Sequence, residues 1–402
     1  MNDPILKVSN KKNNNFNFVL SNVDVSIANG IRRTILKNIP VIGFDISTCI
    51  IENNISQFTN EIIKHRLKCI PVLSEISEDK ITLLKNYRME LNVENNENQE
   101  LLITTEHFEL FDKETGNKVK KNELNKIFPK NDITGDYITF LRLRPKLSEN
   151  IESQKIKLKC DFDIFTSNDD SVYAASKISF FNTVDEKEAK NVLENNKIEF
   201  MKKYENSNLS KNEINKELEL LEKNFNTLDK YRITIKNSFN FTIKSLSIYT
   251  ETQLVKKACD ILINKLKLFI DNVLKLNINN EKEDNNEKED KKNKDNLSVN
   301  IKLSYESIEF PSTMENSYDI NIINEDYTIG CILQHLLYEM FYEGEKKIIY
   351  CGFTKYHVYN DYSVLRISYI NPISNDVLIN DLKKSIEKGV DIFNKIKKQL
   401  KI

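Results

Sequence analysis

The chain has 402 residues, of which 40% are hydrophobic and 30% charged, and its formal net charge is −1. This length allows two or three domains, and the near-zero charge excludes a global field that would attract nucleic acid or a membrane surface. Heavy use of Asn, Lys and Ile, with 8 Gly and no Trp, indicates an AT-rich genome rather than a function.

Cysteine and histidine spacing argues against a local metal site. The chain has 6 Cys and 4 His, and no two cysteines form a C-x-x-C pair. A tetrahedral zinc site needs such clustering, so we expect reduced, mostly buried thiols. Residues 1–4 lack the apolar core of a secretory leader, and no apolar run reaches the roughly 18 residues of a membrane span.

A short strand predicted at 16–23 leads into an amphipathic helix that Pro40 terminates, because the residue before a proline is driven out of the helical region. Apolar side chains recur on one face at helical spacing: Ile27, Ala28, Ile31, Ile35 and Ile39. Arg32 and Arg33 lie on the opposite face. From the residues alone, ordinary core packing explains the stripe better than an interface does, and simple solvation explains the arginines.

Residues 41–180 are predicted to be mainly strands. A helix is expected at 59–67, after one or two strands at 41–52, and alternation returns at 88–93, 101–111, 137–143 and 155–164. In the last of these, apolar residues occupy every even position, which predicts a half-buried strand. Asp161 and Asp163 lie on its polar face, and we interpret them as a solvated surface rather than a metal-binding pair.

The middle of the chain alternates between charged and amphipathic segments. Charged residues with thinly spaced apolar anchors at 185–232 predict one or two exposed helices. A strand is expected at 238–248, followed by a strong amphipathic helix at 253–276. Residues 279–296 contain only Asn, Glu, Lys and Asp. Such a segment cannot bury enough apolar area to offset its ordering entropy, so we predict a linker.

The last segment repeats the layout of the first. Strands are predicted at 299–303, 318–323, 348–353 and 364–369, with helices at 329–342 and 376–400. Strand, helix, strands and a long closing helix therefore occur twice. The predicted fold class is α+β, with two units of antiparallel sheet and long amphipathic helices.

The first unit resembles the alpha-type subunits of cellular RNA polymerases. Its residues 18–33 read FVLSNVDVSIANGIRR, which is similar to the signature of the bacterial alpha N-terminal domain, the archaeal D subunit and the third-largest polymerase II subunit. The next block agrees in order and spacing, with NIS at 54–56, Glu61, HRL at 65–67 and IP at 70–71.

The last unit resembles the small partner of that subunit, the archaeal L or eleventh polymerase II type. The resemblance rests on NEDYTIG at 324–330, GF at 352–353, HV at 357–358 and RI at 366–367. Tyr327 stands where the small partner usually has His, and Tyr356 where it usually has Pro. Gly30 replaces a small helix former at a cost of about 1 kcal/mol relative to Ala, which permits close backbone approach.

The resemblance implies an intramolecular pseudo-dimer of two alpha-like dimerisation units, with a mostly β domain inserted in the first. The implied boundaries are 16–45 with 235–278 for the first unit, 46–234 for the insertion including exposed helices at 185–232, 279–296 for a disordered charged linker, and 297–402 for the second unit. The helices at 185–232 have no counterpart in the family, and the zinc loop of some members is not expected.

Three groups of residues receive roles from this resemblance. The implied dimerisation interface consists of Ile27, Ile31, Ile35, Ile332, Leu336, Leu337, Leu382 and Ile386. The implied docking residues for the large subunits are Asn29, Arg32, Arg33, His65 and Arg66. The implied structural motif consists of Glu325, Asp326, Gly330, Gly352, His357 and Arg366, in which we favour helix capping for Glu325 and Asp326 and a turn position for His357.

The implied function is that of a noncatalytic platform in a DNA-directed RNA polymerase. The implied partners are the two largest subunits and a small assembly subunit, with little direct nucleic-acid contact, no membrane and no homo-oligomer. No cofactor is expected in this chain, since Mg²⁺ would belong to the largest subunit. A fused chain of this kind favours a large cytoplasmic DNA virus, hence the host cytoplasm or viral factory. A dimer-like adaptor of another complex is the alternative, and an enzyme the third.

Overall fold

A computed structural model describes residues 3–12, 15–74, 86–146, 152–204, 211–279, 299–303 and 313–400. The fold is α+β with antiparallel sheets, as the sequence predicts. It divides into two compact units. The first combines 1–34, 178–244 and 255–402, and the second combines 35–177 and 245–254.

Helices and strands alternate along the described part of the chain. The helices are α1 (Val25–Lys37), α2 (Asn60–Lys68), α3 (Lys121–Ile127), α4 (Glu186–Tyr204), α5 (Lys211–Thr227), α6 (Glu251–Asn279), α7 (Tyr327–Leu337) and α8 (Asn375–Gln399). The strands are β1 (Ile5–Lys12), β2 (Asn15–Ser21), β3 (Val41–Asn54), β4 (Tyr87–Glu94), β5 (Leu101–Thr104), β6 (Glu109–Asp112), β7 (Thr139–Leu143), β8 (Lys155–Phe165), β9 (Ser176–Val184), β10 (Thr234–Ser245), β11 (Val299–Leu303), β12 (Ser317–Ile323), β13 (Ile348–Thr354) and β14 (Tyr362–Tyr369).

Two four-stranded sheets with the same order are built in the first unit. One runs β1-β2-β10-β9 and the other β11-β12-β14-β13. In each, the second strand of the order leads into a short helix, α1 or α7, and the third strand is followed by a long helix, α6 or α8. We call the elements β1, β2, α1, β9, β10 and α6 the first half, and residues 299–400 the second half.

The strand-to-helix connection is the same in both halves. β2 ends before Asn22, which has φ 61°, and β12 ends before Asn324, which has φ 60°. Asparagine tolerates this left-handed conformation better than most residues do. Two residues later an aspartate caps the helix: Asp24 accepts a hydrogen bond from the Ser26 amide and Asp326 one from the Thr328 amide, each at 2.8 Å.

The second unit has its own apolar core. Its sheet runs β3-β8-β4-β6, and β5 pairs with β7 in a two-stranded sheet. Aromatic side chains fill the interior: Phe44, Phe108, Phe128, Phe140 and Phe162 are all buried. On β8 the side chains of Ile156, Leu158, Cys160 and Phe162 are buried, which confirms the predicted alternation.

Several elements differ locally from the sequence prediction. β1 was not predicted, because its residues are largely polar and its order depends on pairing with β2. The predicted strand at 101–111 is divided into β5 and β6 by a helical turn at Thr105–His107. The predicted helix at 329–342 ends as α7 and continues as a π-helical turn at Tyr338–Gly344. The predicted linker lies, except for Asn279, outside the described residues.

The first half is interrupted twice, whereas a single insertion at 46–234 was predicted. β9 lies within that range but is hydrogen-bonded to β10 in the sheet of the first half. One insertion therefore lies between α1 and β9, and the helices α4 and α5 form another between β9 and β10. The sequence alone could not assign β9, because strand partners far apart in the chain leave no local signal. Within the described residues, every helix is too short or too polar to cross a membrane.

Candidate functional site

The two short helices α1 and α7 approach each other closely at Gly30. A Cβ atom placed on Gly30 would lie 2.7 Å from the Cδ1 atom of Ile332, so the isoleucine occupies the space that any larger residue at position 30 would need. Ile332 is fully buried. The glycine that weakens α1 as an isolated helix therefore permits this contact.

All eight residues of the predicted dimerisation interface are buried. They are Ile27, Ile31, Ile35, Ile332, Leu336, Leu337, Leu382 and Ile386. Burial is also what an ordinary core requires, so their assignment to an interface stays a prediction. Leu266 of α6 was not in that set, yet its Cδ1 would lie 3.2 Å from a Cβ placed on Gly389 of α8.

Arg33 makes an ion pair within the chain and was predicted instead to face the large subunits. Its Nε donates a hydrogen bond to Thr328 Oγ1 at 2.8 Å, and its Nη2 pairs with the carboxylate of Asp326. Asp326 caps α7 with its other oxygen, as predicted. The guanidinium of α1 is thus engaged at the start of α7, because a planar fork suits a carboxylate with a neighbouring hydroxyl.

A related contact runs in the opposite direction between the same two helices. His335 of α7 has its Nδ1 3.8 Å from Asp24 Oδ1, and Asp24 is the cap of α1. His335 Nε2 is buried without a hydrogen-bond partner in the described structure and lies 4.0 Å from Glu339. The sequence analysis assigned His335 no role, since a lone histidine on an apolar helix face gives no signal of its own.

Glu325 is bound to the long helix α6 rather than capping α7. Its side chain is 5% exposed, and Lys265 Nζ donates to its Oε1 at 2.7 Å. Burial raises the pKa of Glu325, and the Lys265 ammonium opposes that rise. Removing either partner would leave a buried carboxylate or a half-buried ammonium unpaired, which costs more than the pair gains.

Arg32 differs from its neighbour Arg33. Its Nε donates to Asn29 Oδ1 at 3.0 Å, one turn earlier on α1, and among the described residues it has no carboxylate partner. Partial burial, followed by the charge of Arg33, lowers the pKa of Arg32, but an arginine remains charged at neutral pH. Of the two predicted docking arginines on α1, Arg32 retains a guanidinium available to a partner.

The other predicted docking residues, His65 and Arg66, lie on α2 in the second unit, and both are exposed. Arg66 donates to the backbone oxygen of Phe140 at 2.6 Å, and its guanidinium lies 5.6 Å from the ring centroid of Phe58. Its geometry therefore contributes to the packing of the second unit. The His65 side chain makes no hydrogen bond to any described residue.

The remaining motif residues hold the second half together. A Cβ on Gly330 would collide with the Phe353 ring, and one on Gly352 with the Tyr350 side chain. Arg366 binds Asp319 through two hydrogen bonds of 2.6 and 2.7 Å. Asp319 is buried and was not singled out from the sequence.

His357 occupies an exposed turn, as predicted. Its Nδ1 accepts a hydrogen bond from the Tyr359 amide at 3.3 Å. The turn belongs to the β13–β14 connection, so the side chain serves local geometry.

The described part of the chain contains no group of side chains that could hold a metal ion. No three His, Cys, Asp or Glu side chains converge there, and its cysteines are free and mostly buried, as predicted, with Cys69 exposed. Asp161 forms ion pairs with Arg88 and Lys113. Burial would raise the pKa of Asp161, but these two cations lower it overall, so the aspartate is a structural ion-pair partner.

Comparison with known families gives these contacts a context. The model of the RNA polymerase Rpb3/Rpb11 dimerisation domain matches residues 17–266, which is more than half of the chain. The chain belongs to this family. The matched region runs from β2 through α1 into α6, so it contains the second unit and most of the first half, without β1 and the last residues of α6.

Individual members of the family match shorter regions. The DNA-directed RNA polymerase II subunit rpb3 of Dictyostelium discoideum is 38% identical over 72 residues, which is 18% of this chain and 23% of that protein. The Rpo3 subunit of Pyrococcus furiosus is 35% identical over 91 residues, which is 22% of this chain and 34% of that protein. The chain thus matches about a quarter to a third of the length of these relatives.

The second half lies outside the region that the family model matches. Its likeness to the first half rests on the repeated sheet order, the left-handed asparagine and the aspartate cap. These features are a shared topology together with two identical residue types at equivalent positions.

Proposed function

We propose that the chain is a noncatalytic assembly subunit of a DNA-directed RNA polymerase, whose first and second halves pair with each other within one chain. The observation that carries this proposal is reciprocity. Arg33 of α1 contacts the cap of α7, and His335 of α7 lies near the cap of α1. Such exchange of equivalent contacts is typical of a twofold interface, in which residue i meets j and j meets i.

Contacts between the long helices support the same pairing. Lys265 of α6 binds Glu325, and Lys397 of α8 forms an ion pair with Asp260 of α6. The N-terminal strand is joined to the C-terminal helix as well: Gln399 accepts from the Leu6 amide at 2.7 Å and donates to the Pro4 oxygen at 2.6 Å.

The proposal assigns large-subunit docking to side chains that make no ion pair or long-range hydrogen bond within the described residues. Arg32 with Asn29 on α1, and His65 on α2, present donors that a carboxylate or a backbone carbonyl of another subunit could accept. Arg33 is excluded from this role because Asp326 and Thr328 already bind it. In this platform, Mg²⁺ and catalysis belong to the largest subunit.

Fusion of two partner subunits in one chain follows from the proposed pairing. A tether raises the effective concentration of the second half to about millimolar, which favours pairing before the large subunits arrive. The viral origin and the cytoplasmic location stay predictions that rest on the fusion of the two subunits, and the AT-rich residue usage is compatible with them.

The first experiment separates pairing from tethering. A protease site is placed within residues 280–298, and the purified chain is cut after folding. We expect the two fragments to sediment as one complex at micromolar concentration, because the contacts between the halves include buried side chains as well as ion pairs. Separation of the fragments would contradict the pairing.

The second experiment uses neighbouring arginines as a matched pair. Arg32→Glu should leave the cut fragments together but abolish co-purification of the two largest polymerase subunits. Arg33→Glu should instead loosen the fragments, because it places a carboxylate beside Asp326. If the large subunits still co-purify with Arg32→Glu but are lost with Arg33→Glu, Arg32 has no docking role. Co-purification of an unrelated complex would favour the alternative of a dimer-like adaptor.

A further inference from the structure

The centre of the reciprocal contacts is occupied by unlike residues. Counting from the two capping aspartates, Gly30 follows Asp24 at the same distance in sequence as Ile332 follows Asp326. These two equivalent positions touch each other, since a Cβ on Gly30 would lie 2.7 Å from Ile332 Cδ1. A residue that meets its own equivalent lies next to the twofold axis of a twofold interface.

The polar contacts alone would not prevent like halves from pairing. In a pair of first halves, Arg33 of each copy would meet the Asp24 cap of the other. In a pair of second halves, His335 would meet Asp326 twice. Both arrangements bring a basic group to a carboxylate, so neither is rejected by charge.

The centre would reject both of these like pairs. Two copies of Gly30 would leave the space now filled by Ile332 empty, and a void in a close-packed interface loses contact energy. Two copies of Ile332 would place two branched side chains where one now fits, and overpacking of this kind is also destabilising. Only a glycine opposite an isoleucine fills the space.

We infer that Gly30 and Ile332 form a hole and a knob that restrict pairing to unlike halves. The inference rests on the proposed pairing and adds the kind of partner that each half accepts. The first half fits a second half, either its own or that of another copy of the chain, and excludes a second copy of itself. Specific pairing often depends on such a clash or void, which penalises the wrong partner.

The test exchanges the knob and the hole in the cut chain. Gly30→Ile places two isoleucines at the centre, and Ile332→Gly places two glycines there. Each is expected to weaken the affinity between the fragments at least tenfold. The combined variant restores one glycine opposite one isoleucine, with the sides exchanged, and its fragment affinity should return to within about threefold of the original.

A control uses Gly330, which lies two residues from Ile332 and therefore on a different side of α7. Gly330→Ala collides with Phe353 inside the second half, so Ile332→Gly should not rescue it. Circular dichroism of each cut variant verifies that helix content is retained. Failure of the exchanged pair to recover affinity, while the original fragments remain associated, overturns the inference and leaves the pairing intact. Separation of the original fragments overturns both.

A capture experiment measures the specificity directly. Tagged second fragments are mixed with untagged second fragments from the cut chain. The original fragments should capture one another only weakly, whereas tagged Ile332→Gly fragments should capture untagged original fragments at least tenfold more, because this mixture places one glycine opposite one isoleucine. Self-capture of the original second fragment at the level of unlike capture would contradict the hole-and-knob assignment.

Discussion

The first and second halves build the same sheet with very different connections. In each sheet the two N-terminal strands are adjacent. The strand that precedes the long helix pairs with the second of them, and the remaining strand lies at the edge. The second half joins these strands by the short segments 338–347 and 355–361, whereas the first half accommodates the second unit and the helices α4 and α5 at the same two places. Connections between elements tolerate insertion well, so the fold is specified by the elements that both halves share.

What the halves share is largely backbone chemistry. The left-handed Asn22 and Asn324 and the capping Asp24 and Asp326 are the same residue types at equivalent places. What differs is the set of side chains that face the other half, including Gly30 against Ile332. The comparison separates residues that form the unit from residues that choose its partner, and the following changes test that separation.

The largest loss of stability is expected when buried aromatic side chains of the two long helices are removed. Phe269 of α6 and Phe393 of α8 are fully buried and stand at matching distances from their helix starts. Replacing either by Ala should lower the free energy of unfolding by about 3–5 kcal/mol, because a large cavity remains. Urea unfolding monitored by circular dichroism should show one transition for the first unit in both variants. Two separate transitions, with only the substituted half destabilised, would show that the halves fold independently.

Replacing either capping aspartate should lower the free energy of unfolding by a smaller amount, and the loss should differ between the two positions. Asp326→Ala removes a cap and the ion pair with Arg33, which together cost about 2 kcal/mol. Asp24→Ala removes a cap and a 3.8 Å contact with His335, so it should cost about 1 kcal/mol. Denaturant unfolding measures both.

The Arg33→Ala background provides the control for this pair. There, the difference between the costs of Asp326→Ala and Asp24→Ala should become smaller, because the ion pair with Arg33 is already absent. Equal losses in the original background would mean that the Arg33 contact adds nothing to stability.

The contributions of the two long helices to stability should depend differently on pH. This difference should be smaller than the free energy of unfolding lost in Asp326→Ala. Asp381 of α8 is buried, receives a hydrogen bond from Tyr369, and lies 3.9 Å from Lys347, whereas the matching position of α6 is Lys257. Burial raises the pKa of Asp381, and Lys347 opposes that rise. A carboxyl whose pKa is raised on folding stabilises the fold at low pH, and this contribution is lost as the pH rises through the folded-state pKa.

Asp381→Asn removes this titration while keeping the shape of the side chain. Relative to the original chain, the variant should gain stability as the pH rises from about 4, the ordinary aspartate range, towards neutrality. Unfolding measured across this pH range tests the sign. A variant that instead loses stability relative to the original chain as the pH rises would show that Lys347 outweighs the burial.

Sequence reasoning succeeded where local patterns determine structure. The stripe on α1, the alternation on β8 and the cap at Asp326 each depend on neighbours a few residues away, and the structure confirms them. It failed where the partner lies far along the chain. Arg32 and Arg33 look alike in sequence, but adjacent helix positions point about 100° apart, and only the fold shows that Arg33 meets Asp326.

The smallest effect is expected at the contact that joins the two ends of the chain. Gln399 of α8 binds the backbone at Leu6 and Pro4. Gln399→Ala should cost about 0.5–1.5 kcal/mol, since water replaces both bonds at this exposed position. Amide hydrogen exchange at Leu6 should accelerate, whereas Lys395→Ala, which removes only the exposed ion pairs to Asp3 and Asp391, should leave it unchanged. Unaltered exchange at Leu6 in the Gln399 variant would mean that pairing with β2 alone holds the N-terminal strand, and that the first half needs nothing from the second to keep it.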